Sequence, residues 1–357
     1  MNGESDWPPA GSTSRARRPS MRDVAERAGV SIKTVSRVVN GEGHVSAQLS
    51  ARVREAIAEL DYRPDPAASI LRRADGRTST VAVILEDLAN PFSAAVHRAI
   101  VTTMRERDVL VLSADSDEDP AGEREAFLAF IDRRVDGVIL MPTSSDHAWM
   151  RSARVGHRHV VMVDRPAPGF PSDVVVTDND GGARRGTSHL VRQGHERVAF
   201  LGADPALHTA GERLAGYRTA LEAAGVRRSE RLERTGLRDS EQARDAVIDL
   251  LTGERPPTAI FASQNRMTVG ALVALRQLGL HRRVALVGFD DIELADVVEP
   301  GVTVVAQAPP EIGRAAAELL LARIGGDTSA PRTELVPTRL IPRGSGELPP
   351  PDGPPAP

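Results

Sequence analysis

The sequence predicts a small all-α head followed by a larger α/β unit built on parallel sheets, and three observations lead there. Between Met21 and Arg73, short segments carry apolar residues at helical spacing. Beyond Ser79 the pattern becomes short β-rich runs separated by helical segments, an alternation that makes parallel sheets covered on both faces. About ten such runs exceed what one compact sheet usually holds, so the larger unit is expected to form two similar lobes.

In the head, Ser20 with Asp23 three residues on is a capping-box pattern, and Val24, Ala25 and Ala28 form the inward face of the helix it starts. Ala28-Gly29-Val30-Ser31 is a tight turn. Ser31 caps a second helix, which stops at Asn40-Gly41. Val35, Val38 and Val39 bury one side of it, leaving Ile32, Lys33, Ser36, Arg37 and Asn40 together on the other. A row of donors with one aliphatic side chain suits a helix that enters the DNA major groove N-terminus first. A third helix runs from Ser46 through Leu49, Val53, Ala56, Ile57 and Leu60. Asp65-Pro66 then opens a fourth, which at about two turns is too short to persist alone in water. It should fold only when held, and Leu71, flanked by arginines, has the character of an apolar wedge for a minor-groove step.

Charge supports a nucleic-acid role through its distribution and not its sum. The chain carries a formal −4, yet residues 15–77 hold thirteen Lys/Arg against eight Asp/Glu, a local +5, so the remainder sums to −9. A basic head on an acidic body directs DNA to one end. The only lysine in the chain is Lys33. Aromatics make up just 3%, so Val, Leu, Ile and Ala must do the packing. The absence of cysteine excludes disulfides, Cys-bound zinc and thiol chemistry. No apolar run is long enough to span a membrane and no signal sequence opens the chain, so a cytoplasmic location is expected. Residues 1–19 are polar and without period and read as a disordered tail, and Arg343 to Pro357 is proline-rich and reads as a second one from 344 on.

In the larger unit the expected strands are Val81–Leu85, Val109–Ala114, Gly137–Met141, His159–Asp164 and Val174–Thr177, then Val198–Leu201, Ala259–Ala262, Val284–Phe289 and Val302–Ala306. The intervening helices are Ser93–Arg107, Ala121–Arg134, Gly181–Arg192, Glu212–Ala224, Ser240–Leu251 and Met267–Leu278. Ligands in such folds bind outside the carboxyl ends of strands, here in the cleft between lobes.

The run DVAERAGVSIKTVSRVVNG, the later ELDYRPD and the short linker segment resemble the lactose/galactose repressor family of bacterial transcriptional regulators. The landmarks continue in order: Asp87-Leu88-Ala89-Asn90-Pro91-Phe92, Val135-Asp136-Gly137, Asp164-Arg165, Gly194-His195-Glu196-Arg197, Glu212-Arg213-Leu214-Ala215-Gly216-Tyr217 and Val287-Gly288-Phe289-Asp290-Asp291. The resemblance implies a helix-turn-helix DNA-binding domain over 20–63, a hinge helix and linker over 64–79, and a two-lobed, periplasmic-binding-protein-like ligand-binding and dimerisation domain over 80–343. It implies three crossings between lobes, with Pro310–Ile324 returning to the first lobe and Leu335–Ile341 to the second. It places base reading on Ile32, Lys33 and Arg37, while Ser31, Thr34, Ser36 and Asn40 are better placed for phosphate. It carries effector contacts to Arg213 and Asp290, with Phe92 as an apolar wall, Thr209 and Gln307 as further contacts and Asp164-Arg165 at a strand end within reach of the cleft. Gln264-Asn265 departs from the family's usual Asn-Asp: an amide replaces a carboxylate, so recognition of a common hexose in the usual way is not implied. The leucine heptad that makes tetramers in the family's founding member is missing, and a homodimer is expected.

No catalytic set, phosphate loop or HExxH motif is found, and no cofactor or metal is called for. His195 in its Gly-His turn reads as structural. The expected function is that of a regulator, most simply a repressor, binding double-stranded operator DNA under control of a small-molecule effector, a sugar or sugar derivative. Two alternatives stay open: the same DNA-binding role answering to a purine or protein partner, and a small-molecule transport binding protein.

Overall fold

The computed structural model describes residues 19–39, 45–62, 77–143, 146–151 and 158–351, in two compact units divided at Thr78. Asn40, residues 64–76 with Leu71, and the first eighteen residues lie outside the described residues.

The head holds α1 (Met21–Ala28), α2 (Ile32–Val39) and α3 (Ala47–Glu59). The Ser20–Asp23 capping box forms reciprocally: Asp23 accepts from the Ser20 amide at 2.6 Å, and the Ser20 hydroxyl accepts from the Asp23 amide at 3.4 Å. Gly29 ends α1 at φ +62° and turns the chain into α2. Arg52 of α3 donates to the Ala28 carbonyl at 2.6 Å, tying that turn to the third helix. Val24, Ala25, Ala28, Val35, Val53, Ala56 and Tyr62 close one small core, with Val38 and Val39 partly buried against it.

The second unit has two six-stranded sheets. The first runs β11 (Thr333–Val336), β5 (Asp173–Thr177), β4 (His159–Val163), β3 (Gly137–Leu140), β1 (Thr80–Leu85), β2 (Leu110–Asp115), all parallel. The second runs β12 (Arg339–Ile341), β10 (Thr303–Ala306), β9 (Ala285–Phe289), β8 (Ala259–Ala262), β6 (Val198–Leu201), β7 (Glu233–Arg234), parallel except for β10 with β12. Central strands such as β1 and β8 are buried along nearly their whole length, as parallel strands covered on both faces must be.

Each sheet carries an apolar layer on either face. In the first lobe, α4 (Pro91–Arg105) and α10 (Pro309–Ile324) pack one face through Val96, Ile100, Ile312 and Leu320, and α5 (Pro120–Asp132) packs the other through Phe127 and Phe130. In the second lobe, α8 (Ser240–Thr252) and α9 (Asn265–Gln277) cover one face, and α6 (Asn179–Arg192) and α7 (His208–Ala223) the other.

The chain passes between lobes three times, after Thr177, after Ala306 and after Val336. The last crossing corrects one expectation. Leu335 pairs with Val176 in the first lobe, and only Arg339–Ile341 joins the second. Pro337 and Thr338 lie between the two strands, so the switch falls after Val336 and not before Leu335. A second correction concerns the end of the chain. Residues 344–351 are not a tail: Ser345 and Gly346 are buried, the Ser345 hydroxyl donates to the Leu286 carbonyl at 2.6 Å, and Glu347 accepts from the Thr303 hydroxyl at 2.8 Å. The segment thus has polar anchors that its proline content hides. His195, buried, bonds the Thr258 hydroxyl and the Leu348 carbonyl, each at 2.9 Å, which is a structural role.

Candidate functional site

On the head, α2 turns Val35 inward and exposes Ile32 and Lys33. Ile32 is 45% exposed, a large apolar side chain with no core to fill, and Lys33 beside it is exposed. Arg37 and Ser36 are half-buried on the same helix. The Ser31 hydroxyl accepts from the Thr34 amide at 3.2 Å and bonds its hydroxyl at 2.9 Å, so these two are already engaged in starting the helix.

In the larger unit, the ends of β1, β4, β8 and β9 and the N-termini of α4, α7 and α9 converge on a hollow of about 50 Å³ between the lobes. All nine side chains expected there line it: Phe92, Asp164, Arg165, Thr209, Arg213, Gln264, Asn265, Asp290 and Gln307. A neighbouring chamber of about 330 Å³ shares Arg165, Thr209, Arg213 and Gln264 with it. The alternation of parallel strands explains the convergence, since it delivers every strand's carboxyl end to the same side.

Arg213 and Asp290 form no ion pair with each other among the described residues. Arg213 donates to Asn179 Oδ1 and to the Ser263 carbonyl, each at 2.8 Å, and its guanidinium stacks 3.9 Å from the centre of the Phe289 ring. Asp290 accepts from Gln307 Nε2 at 2.6 Å and from the backbone N–H of Asn265 at 3.3 Å. Burial pushes the Arg213 guanidinium below its usual range, opposed by Asp290 and Asp164, and burial pushes the Asp290 carboxyl up, opposed by Arg213. Each is therefore held by its neighbours at the wall of the hollow. Asp164 and Asp290 both take positive φ, +69° and +72°, at the ends of their strands. Strain of this kind collects where a site must aim a side chain.

The departure at Gln264-Asn265 acquires a physical meaning. The Asn265 side-chain Nδ2 donates to Asn90 Oδ1 at 2.8 Å, from the second lobe to the first, a bond an aspartate could not donate. Next to it Arg266 pairs with Asp87, again across the lobes. Gln307 sits at a crossing and bonds Thr177 at another. Glu86, Asn90, Glu118 and Arg266 also line the hollow and were not among the effector contacts expected from the sequence. Asn90 and Arg266 lie beside residues that were, whereas Glu86 and Glu118 carried no local signal of burial or convergence.

Among the described residues no helix is long and apolar enough to cross a membrane. Residues 20–65 match the bacterial regulatory proteins of the lacI family, and residues 187–346 match the periplasmic binding protein-like domain. Over 343 residues the chain is 35% identical to the HTH-type transcriptional regulator CelR of Thermobifida fusca, covering 93% of this chain and 99% of that one. It is 32% identical to the ribose operon repressor of Escherichia coli, covering 91% and 99%. Among solved structures, the lac repressor dimer bound to operator and an anti-inducer superposes with a TM-score of 0.83 at 26% identity, over 92% of this chain and 99% of that one. A CelR–cellobiose complex superposes at 0.68 with 32% identity, over 92% and 100%. From its helix-turn-helix head to its two-lobed domain, the chain belongs to the lacI family of bacterial regulatory proteins.

Proposed function

We propose that the protein is a cytoplasmic, homodimeric repressor that binds a pseudo-palindromic operator and releases or grips it according to a carbohydrate effector closed between the lobes. The observation that carries this reading is the coexistence in one chain of a recognition-helix face with no core of its own to bury and a polar cleft between hinged lobes. On the operator, Lys33 and Arg37 read guanine acceptors and Ile32 packs on a thymine methyl. Ser31, Thr34, Ser36 and Asn40 fix register on phosphates, and Leu71 of the linker enters the minor groove. In the cleft, a buried guanidinium and carboxylates suit a polyhydroxyl ligand, which offers both donors and acceptors. The adjoining chamber of about 330 Å³ leaves room for a ligand larger than the inner hollow. A purine is less well served: Phe92 is the one aromatic side chain lining the hollow among the described residues, so a planar base has no pair of rings to sandwich it. That relatives include a regulator crystallised with cellobiose and a ribose operon repressor points the same way.

Effector and operator are coupled through one equilibrium, because a ligand that favours one lobe arrangement biases whatever linker arrangement goes with it. Genome-wide capture of bound DNA identifies the operator, and gel-shift competition then tests the reading. Arg37→Ala should remove about 1–3 kcal/mol of preference for the operator while weak, salt-sensitive binding to random DNA remains. Unchanged discrimination would show that α2 does not read bases through Arg37.

A further inference from the structure

Glu86 directly follows β1 and lines the inner hollow, yet it is only 4% exposed. Its Oε1 accepts from the Ser93 hydroxyl of α4 at 2.7 Å, while its Oε2 is buried with no hydrogen-bond partner. The other acids of the hollow with buried oxygens are served: Asp290 takes two N–H donors, and Asp164 takes Arg165 at 3.3 Å. A buried polar oxygen without a partner, on a residue that lines the hollow, calls for one, and a ligand seated there could supply it.

The surroundings decide what it offers. Asp164 and Arg165 act on Glu86 from the end of β4; Glu118 from the loop after β2, Asp290 from the end of β9, and Arg213 and Arg266 from α7 and α9 line the same hollow; Asp87 follows Glu86 in the chain. Both basic groups of the second lobe are committed elsewhere, Arg213 to Asn179 and Ser263 and Arg266 to Asp87. Burial, and then the neighbouring Asp164, push the Glu86 carboxyl up to about 7, with Arg165 opposing. With Oε1 taken by the Ser93 hydroxyl, Oε2 is the oxygen free to carry a proton.

We infer that Glu86 is a specificity-determining residue that binds the effector as a neutral acid, its Oε2–H donating to an acceptor oxygen of the ligand, so that effector affinity is full in mild acid and falls as the pH rises. The inference rests on the carbohydrate reading of the cleft. It is tested on the full chain by calorimetric titration with cellobiose, D-ribose and D-galactose between about pH 5.5 and 8.5, in wild type and in Glu86→Gln, whose amide is a donor at every pH. Wild-type dissociation constants for a sugar that binds should rise about tenfold per pH unit above about 7, and Glu86→Gln should flatten that rise. Affinity that increases with pH, or a Glu86→Gln variant weakened at every pH, would overturn the inference in favour of an ionised acceptor. A ligand-free check is the infrared carbonyl band of a protonated buried acid, present in wild type near pH 6 and absent from Glu86→Gln; no such difference also overturns it. If no sugar binds at any pH, the carbohydrate reading fails and this contact with it, and a band still present shows that the failure lies with the ligand and not with the state of Glu86.

Discussion

Gly29 shows how much one residue can decide. Its backbone sits at φ +62°, and a Cβ there would come within 2.7 Å of the Arg52 guanidinium that ties the turn to α3. Gly29→Ala should therefore cost about 1–2 kcal/mol of head stability, read by chemical denaturation, mostly from the left-handed backbone because the arginine end can move. An unchanged midpoint would mean the turn has another way round. That glycine was legible because its requirement is local. So were Arg213 and Asp290, through the motifs around them. Glu86 was not: a carboxylate after an apolar strand reads like a solvated end, and only Ser93 seven residues on and Asp164 from a distant loop make it a buried acid.

At the scale of elements, helices and central strands were readable because their apolar periods are strong, and the misplacements fall at sheet edges. β7 spans just Glu233–Arg234, and β11 carries a Leu335 that is 63% exposed, so neither had the continuous apolar run that marks β1 or β8. Composition misled at the other extreme. Residues 344–351 looked like a proline-rich tail, yet Ser345, Glu347 and Leu348 bond Leu286, Thr303 and His195. Ending the chain at Arg343 should lower the stability of the second lobe by roughly 3–5 kcal/mol, the loss of several buried hydrogen bonds, and calorimetric unfolding would register it. A melting temperature equal to that of the full chain would mean that these contacts contribute nothing.

For the molecule as a whole, the polar bridges across the cleft bear on function most directly. Asp87–Arg266 and Asn90–Asn265 connect the two lobes at the mouth of the hollow. The ion pair is part-exposed, so its contribution is about 0.2–1 kcal/mol, enough to bias a clamshell without locking it. Asp87→Ala should enlarge the radius of gyration of the unliganded protein in small-angle scattering and weaken effector binding up to about fivefold. If neither changes, closure is governed by Gln307 and Thr177 at the crossings instead. The sequence announced the existence of two lobes by counting strands, but these bridges join positions some 180 residues apart, which no local pattern displays.

The late position of α10, β11 and β12 has a consequence for how the protein comes into being. Ile312, Leu320 and Val336 complete the apolar layer of the first lobe, and β12 pairs with β10 in the second. During synthesis the N-terminal helices can assemble early, since every described residue of their core lies at or before Tyr62. The two-lobed unit must wait, with both halves unfinished, until α10, β11 and β12 have been made. A truncated message would therefore yield a DNA-gripping fragment with no working receiver, and the cell's proteases, faced with unfinished sheets, are what would clear it.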